Sequence, residues 1–441
     1  MVATALAFSG CAYSLVNAGQ INQAKAAQVR KQIQVIRQLS FKREVPMVLR
    51  TPEQVRKILV AEMKEDYTDE QLKADGEAGA MLGLYPQGIN LENATVSVLD
   101  SQIAAFYDPD AREMVLVKGA LKLGFLESAE QFAAQRDVVG EMLLAHELTH
   151  ALQDQNFAVS KKLDSMRNNS DRALALKSVA EGDATIAGFA CVVGRMDYSV
   201  ADLVAGSLKK LPRIFAAEAK GTPEGIGTPL VFQYSQGVRF VAEAYRRGGW
   251  KAIDKLYTNP PESSQQIIEP ALYFDHFTSP VKVGVAGYQP ILRGWKEIDR
   301  DTYGELLLKI ILRRNFGKNA PEVALARRWA GDKLVVLGRG AEVTALWLVV
   351  FRDSDSAVRF SALYAPLLDR TLGAATPHGV QPHGDAVLIV TGKGARHFKE
   401  LAPAIWKAST LGKPAPLPVT DLRTRAGMTV EDASVSGASA N

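Results

Sequence analysis

The chain has 441 residues, with 52 basic against 48 acidic side chains and a formal net charge of +4. That near balance gives no electrostatic case for nucleic acid, and 47% hydrophobic with 23% charged residues excludes a wholly disordered or collagen-like chain. Two cysteines cannot build a disulfide scaffold or a thiolate zinc site, and no apolar run approaches the ~18–20 residues of a membrane-spanning helix.

The first residues read Met-Val-Ala-Thr-Ala-Leu-Ala-Phe-Ser-Gly-Cys. This short apolar stretch closes on small residues and a cysteine, and it resembles a bacterial lipoprotein signal with Cys11 as the lipidated residue. Residues 1–20 are therefore expected to be an export leader, which implies the cell envelope and a lipid anchor to the membrane. Over residues 21–39, Val29, Ile33 and Ile36 fall at helical spacing with Arg30, Lys31 and Arg37 interleaved. That pattern predicts a helix that packs its apolar face and solvates its basic one. Thr51-Pro52-Glu53 is a helix start, opening a helix through Val55, Ile58 and Leu59,.

The period then changes. Residues 96–99 and 103–107 read as strands, residues 108–112 as a turn, and residues 113–117 as a returning strand,. Residues 138–152 are apolar almost all round, as in a fully buried helix, and a second buried helix is expected over about 173–193,. A helix over 232–247 ends at Gly248-Gly249, and another over 252–257 stops at Asn259-Pro260-Pro261. Ser263 with Gln266 reads as a capping box. Beyond Pro280, strands at 334–337 and 344–351, a helix at 354–368, a strand at 386–390 and a helix at 395–408 predict a C-terminal α+β domain,. The expected organisation is a leader (1–20), a first domain (21–280), the α+β domain (281–408) and a mobile Pro/Ser/Gly/Ala-rich tail (409–441).

The first buried helix carries His146-Glu147-Leu148-Thr149-His150. Residues four apart share a helix face, so His146 and His150 can both present an imidazole nitrogen to one metal ion. Glu147 lies on the same turn, where a carboxylate can take a proton from a metal-activated water and return it to a leaving amine. Burying two histidines and a glutamate among apolar residues is costly unless something pairs them. Zinc ordinarily takes a third protein ligand, and the second buried helix supplies two acids set in apolar sequence, Glu181 and Asp183,. Glu181 is the expected third ligand. Gly182 beside it points to a close helix–helix approach. Asp154 and Asp183 are candidates to hold a histidine's free N–H.

These residues resemble the zincin metallopeptidases and, within them, the gluzincins of thermolysin type. His146 to His150 is that motif letter for letter, and Glu181 matches the third ligand in spacing class. The resemblance implies a zincin-like α+β catalytic domain, with the active-site helix under a small, mainly antiparallel sheet. A peptide or protein substrate would lie extended along the sheet edge offered by the hairpin at 103–117. It covers about residues 95–195. A bacterial group of such proteins shares further pieces present here: Phe-Tyr-Asp-Pro at 106–109, Ala-Leu-Gln-Asp-Gln at 151–155, Glu-Gly-Asp-Ala-Thr at 181–185 and Pro-Pro-Glu-Ser at 260–263. The chain departs from the patterns at Thr185, where the thermolysin type has an aspartate, and at Glu269, where the group often has a histidine. If that histidine stabilises the oxyanion, Tyr234 or His276 must substitute for it. The expected activity is zinc-dependent peptide hydrolysis; the alternative is a zinc-stabilised envelope scaffold without proteolysis.

Overall fold

The computed structural model describes residues 15–17, 20–102, 104–118, 137–218 and 221–415. Cys11 and most of the expected leader, together with residues 416–441 of the expected tail, lie outside them. The chain is mixed α+β, with small and mainly antiparallel sheets. No helix among the described residues is long and apolar enough to cross a membrane.

In chain order the main elements of the first part are α1 (Gln23–Arg37), β1 (Met47–Arg50), α2 (Pro52–Asp66), α3 (Asp69–Met81), α4 (Leu91–Gln102), β2 (Ala105–Asp108), β3 (Glu113–Val117), α5 (Val138–Phe157), α6 (Ser170–Val193) and α7 (Glu224–Thr258). The helix start expected at Thr51-Pro52-Glu53 is present with Pro52 in the first turn, and Gln54 completes a capping box with Thr51. The strand expected over 96–99 is instead the interior of α4. Asn90 accepts a hydrogen bond from the Asn93 amide at 2.8 Å, and this cap nucleates a helix that overrides the β-branched Val96 and Val98,. The hairpin is present as β2 and β3, and β1 adds to it in parallel, in the order β1-β3-β2. The break at Gly248 and Gly249 appears as non-helical backbone inside α7. The capping box at Ser263 does not form, because the Gln266 amide is taken up by the Glu262 N–H and the Thr278 carbonyl.

The later part holds β4 (Lys296–Asp301), α8 (Gly304–Phe316), β5 (Trp329–Arg339), β6 (Glu342–Phe351), α9 (Ser354–Leu372), β7 (His378–His383), β8 (Ala386–Gly392) and α10 (Phe398–Ala408). Its five strands form one antiparallel sheet in the order β7-β8-β6-β5-β4. Residues 343–351 are apolar almost throughout because both faces are covered. One face, with Val336, Trp347, Val349 and Ile389, joins the large buried cluster that also contains Ile33, Leu144, Leu148, Leu176 and Phe240. The other face, with Val335, Leu346, Leu348 and Val390, packs on Leu401 and Ile405 of α10. One continuous core therefore runs across residue 280. Thr410–Leu411, at the start of the expected tail, pairs with Val283–Gly284.

The long helices build the platform for the site. Asp137 caps α5 by accepting from the Gly140 amide, and a left-handed Ala158 ends it. α6 lies against both α5 and α7. At the α6–α7 crossing, Gly182 faces Gly237, and a Cβ on Gly237 would sit 2.1 Å from the Ser178 carbonyl oxygen. The close approach expected from Gly182 is there, with its partner glycine on α7.

Candidate metal centre

His146 and His150 project from one face of α5, one turn apart, and Glu181 meets them from α6. His146 Nε2 lies 3.1 Å from His150 Nε2 and 3.2 Å from Glu181 Oε2, and His150 Nε2 lies 3.5 Å from the same carboxylate oxygen. A tetrahedral ion with bonds of about 2.0–2.1 Å sets its ligand atoms roughly 3.3–3.4 Å apart. The three donor atoms thus already stand at the edges of such a polyhedron, and the cluster could hold a metal ion. Two imidazoles and a carboxylate are also a donor set that suits zinc.

The electrostatics follow from the crowding. Burial pushes the Glu181 carboxyl up, but the charge and hydrogen bonds of His150 and His146 outweigh it and hold the group below its ordinary range. Burial alone would lower His150, yet the Glu181 carboxylate beside it lifts the imidazole to about 10. In the metal-free protein His150 is therefore a cation at neutral pH, and it must give up its proton to ligate. Metal uptake at about pH 8 should release that proton, and affinity should climb with pH towards 10. Titration calorimetry in two buffers of different ionisation enthalpy checks this; identical apparent enthalpies would contradict it.

Glu147 stands between the cluster and the hairpin, within electrostatic reach of both histidines and Glu181. It is buried, and its Oε2 accepts the Tyr107 amide of β2 at 3.2 Å. Burial raises its pKa against the pull of His146 and His150, as suits a group that must take up a proton,. Tyr234, on α7, stacks along His146 at 6.2 Å between ring centroids and shares a hydrogen bond with Glu181. Burial, then the carboxylates of Glu181 and Glu147, push its phenol well above the ordinary value, so it remains a donor.

No family model, curated protein or solved structure matches this chain. The chemistry of the site rests on its own geometry.

The remaining expected residues separate clearly. Asp154 does not reach a histidine. It accepts from the Ser160 amide and hydroxyl and sits 3.8 Å from Arg43. At i+4 from His150 on a helix it could have faced the site, but the chain turns at Ala158 and brings Ser160 back onto it. Asp183 is fully buried near the site but touches no imidazole; Gln153 stands between, accepting from His150 Nδ1 at 2.9 Å. Thr185 is buried behind them, and its hydroxyl has no hydrogen-bond partner among the described residues. His276 is exposed just past residues 271–274 and makes no hydrogen bond or ion pair with the cluster among the described residues. Glu269 is ion-paired to Arg327. Lys177 is exposed on the rim of a cavity of about 300 Å³ with Tyr85 and Tyr303, and Glu181 pairs with the histidines rather than with it.

Sequence reasoning missed Gln153, Arg37 and Tyr257. Arg37 was expected on a solvated face and is fully buried. Its Nε donates to Asp183 Oδ1 at 2.7 Å, its guanidinium reaches Asp254 at 2.7 Å, and it lies over the Trp250 ring. The signal was available: Val29, Ile33 and Arg37 fall four apart, so the arginine stands on the apolar stripe itself.

Proposed function

We propose that this protein is a zinc-dependent metallopeptidase of zincin-like, gluzincin type. The observation that carries the reading is the convergence of His146 Nε2, His150 Nε2 and Glu181 Oε2 within 3.1–3.5 Å, with the Glu147 carboxylate on the same helical turn. A purely structural metal site has no use for a buried acid beside its ligands that makes no bond to the ion; a hydrolytic one needs that acid as its base.

His146, His150 and Glu181 would hold the ion. When bound, zinc brings the pKa of a water down towards ~7 and polarises the carbonyl under attack. Glu147 takes a proton from the attacking water as the new C–O bond forms. It delivers that proton to the amide nitrogen as the C–N bond breaks, and the second proton of the water follows, so that a carboxylate and an ammonium group leave. The Tyr234 hydroxyl, beside Glu181, supplies a hydrogen bond to the oxygen that gains charge. Among the described residues β2 pairs only with β3, and its other edge suits an extended substrate peptide, with the Tyr107 amide tying Glu147 to that strand,.

The test is a mixed-sequence peptide library incubated with the zinc-loaded protein, with Glu147→Gln beside it, and read by mass spectrometry. Cleavage by the wild type alone is the expected result. A library left intact by both would sink general peptidase activity and favour a scaffold that keeps the metal.

A further inference from the structure

The environment of Gln153 decides which ring nitrogen of His150 is free to ligate. The Gln153 side chain meets three groups: its amide nitrogen lies 3.0 Å from the Ala180 carbonyl and 3.1 Å from Asp183 Oδ2, and its oxygen lies 2.9 Å from His150 Nδ1. A carbonyl and a carboxylate only accept, so the amide NH₂ must face them. The oxygen is thereby forced towards His150, and only an Nδ1–H can satisfy it. The proton that the imidazolium gives up on ligating is therefore the one on Nε2, and the lone pair it leaves is aimed at His146 and Glu181, the orientation a metal requires.

Asp183 in turn is held as an acceptor from every side. Arg37 donates to Oδ1 at 2.7 Å and to Oδ2 at 3.1 Å, and the Tyr257 hydroxyl donates to Oδ2 at 2.7 Å. All four residues are buried or nearly so, and Arg37 and Asp183 are wholly inaccessible.

We propose that Arg37 and Asp183 are positioning residues that select the metal-competent tautomer of His150 by fixing the direction of the Gln153 amide. The inference rests on the metal-site reading and deepens it: α1, more than a hundred positions before His150, becomes part of the metal centre. In a thermolysin-type arrangement an aspartate addresses the histidine directly. Here the acid lies one residue further out, and a neutral amide carries its directionality inward.

The decisive variant is Asp183→Asn. An asparagine offers an NH₂ of its own, which leaves only the Ala180 carbonyl to hold the Gln153 nitrogen; at the cost of that one bond Gln153 can turn over, present its nitrogen to Nδ1 and stabilise the Nε2–H form, which cannot ligate. The measurement is the zinc dissociation constant by competition with a chromogenic chelator, together with the visible spectrum of the cobalt-substituted protein. Asp183→Asn is expected to bind zinc about 10–100-fold more weakly. Adding Gln153→Glu should recover most of that loss, because the new carboxylate accepts from both the His150 N–H and the asparagine NH₂, two charge-assisted bonds that outweigh the one lost to the Ala180 carbonyl,. A merely structural role for the network would not be rescued by a second substitution.

Wild-type zinc affinity in a folded Asp183→Asn protein overturns the proposal. So does a loss that Gln153→Glu fails to reverse while the double variant melts no lower than the single one. If Asp183→Asn does not fold, Gln153→Leu takes its place: a loss of at least about tenfold is expected, and unchanged affinity overturns the proposal. Failure of the wild type itself to bind zinc would instead defeat the metal-site reading, so the two failures remain distinct.

Discussion

Glu147→Gln should lose about 10²–10⁴-fold in peptide cleavage, the usual worth of a positioned general base, while still binding one zinc ion per chain. In free energy that is roughly 2.7–5.5 kcal/mol of transition-state stabilisation. The amide has the shape of the acid and can still accept the Tyr107 N–H that Glu147 accepts at 3.2 Å, so the strand and the metal ligands keep their places. What disappears is the capacity to hold a proton. The stability effect should have the opposite sign. Burial raises the Glu147 pKa on folding, so the ionised carboxylate costs stability at any pH above the unfolded value of about 4.3. A neutral amide carries no such cost. Metal-free Glu147→Gln is thus expected to melt at or above the wild-type temperature at pH 7. Loss of activity with lower stability and lost zinc would mean that Glu147 is structural, and the assignment of the base would fail.

The parts of the site written in local spacing are legible in the amino-acid sequence. His146 and His150 need only the helical period, and Glu181 needs only the cost of a carboxylate among apolar neighbours. The parts written in long-range contacts are not. Gln153 is an ordinary polar residue until Ala180 and Asp183 are brought to its nitrogen from α6. Arg37 and Asp183 are 146 positions apart, and periodicity says nothing of which charge meets which. The fold divides along the same line. The long buried helices and the central strands β5, β6 and β8 follow their hydrophobic patterns. The outer strands β4, Lys-Glu-Ile-Asp-Arg-Asp, and β7, His-Gly-Val-Gln-Pro-His, are the two edges of the five-stranded sheet. Edge strands carry charge and proline because one side of their backbone has no strand to pair with, and that composition reads as loop.

Replacing Gly237 by alanine should damage stability and metal binding together, because the residue lies where the two halves of the centre are held at one spacing. The new Cβ would stand 2.1 Å from the Ser178 carbonyl oxygen and 2.9 Å from its carbon. These are backbone atoms of α6 and cannot rotate away. The only relief is for α6 and α7 to separate by roughly 1 Å, which at native packing density is costly, on the order of 1–3 kcal/mol. Tyr234 lies one turn before Gly237 on α7, and Glu181 adjoins Gly182 on α6, so the same displacement pulls the phenol from the carboxylate and the carboxylate from the two imidazoles. Misplacement on that scale costs about 10²-fold in a reaction that depends on alignment. Gly206 provides the control, since it lies within the helix Tyr198–Ser207 with nothing within 4 Å of a Cβ. Alanine there should be neutral or stabilising by roughly 0.5–1 kcal/mol. Thermal unfolding and zinc competition on the two variants decide the matter. If Gly237→Ala melts and binds zinc like the wild type, the α6–α7 contact does not set the geometry of the ligands, and Glu181 must be held in place by the histidines alone.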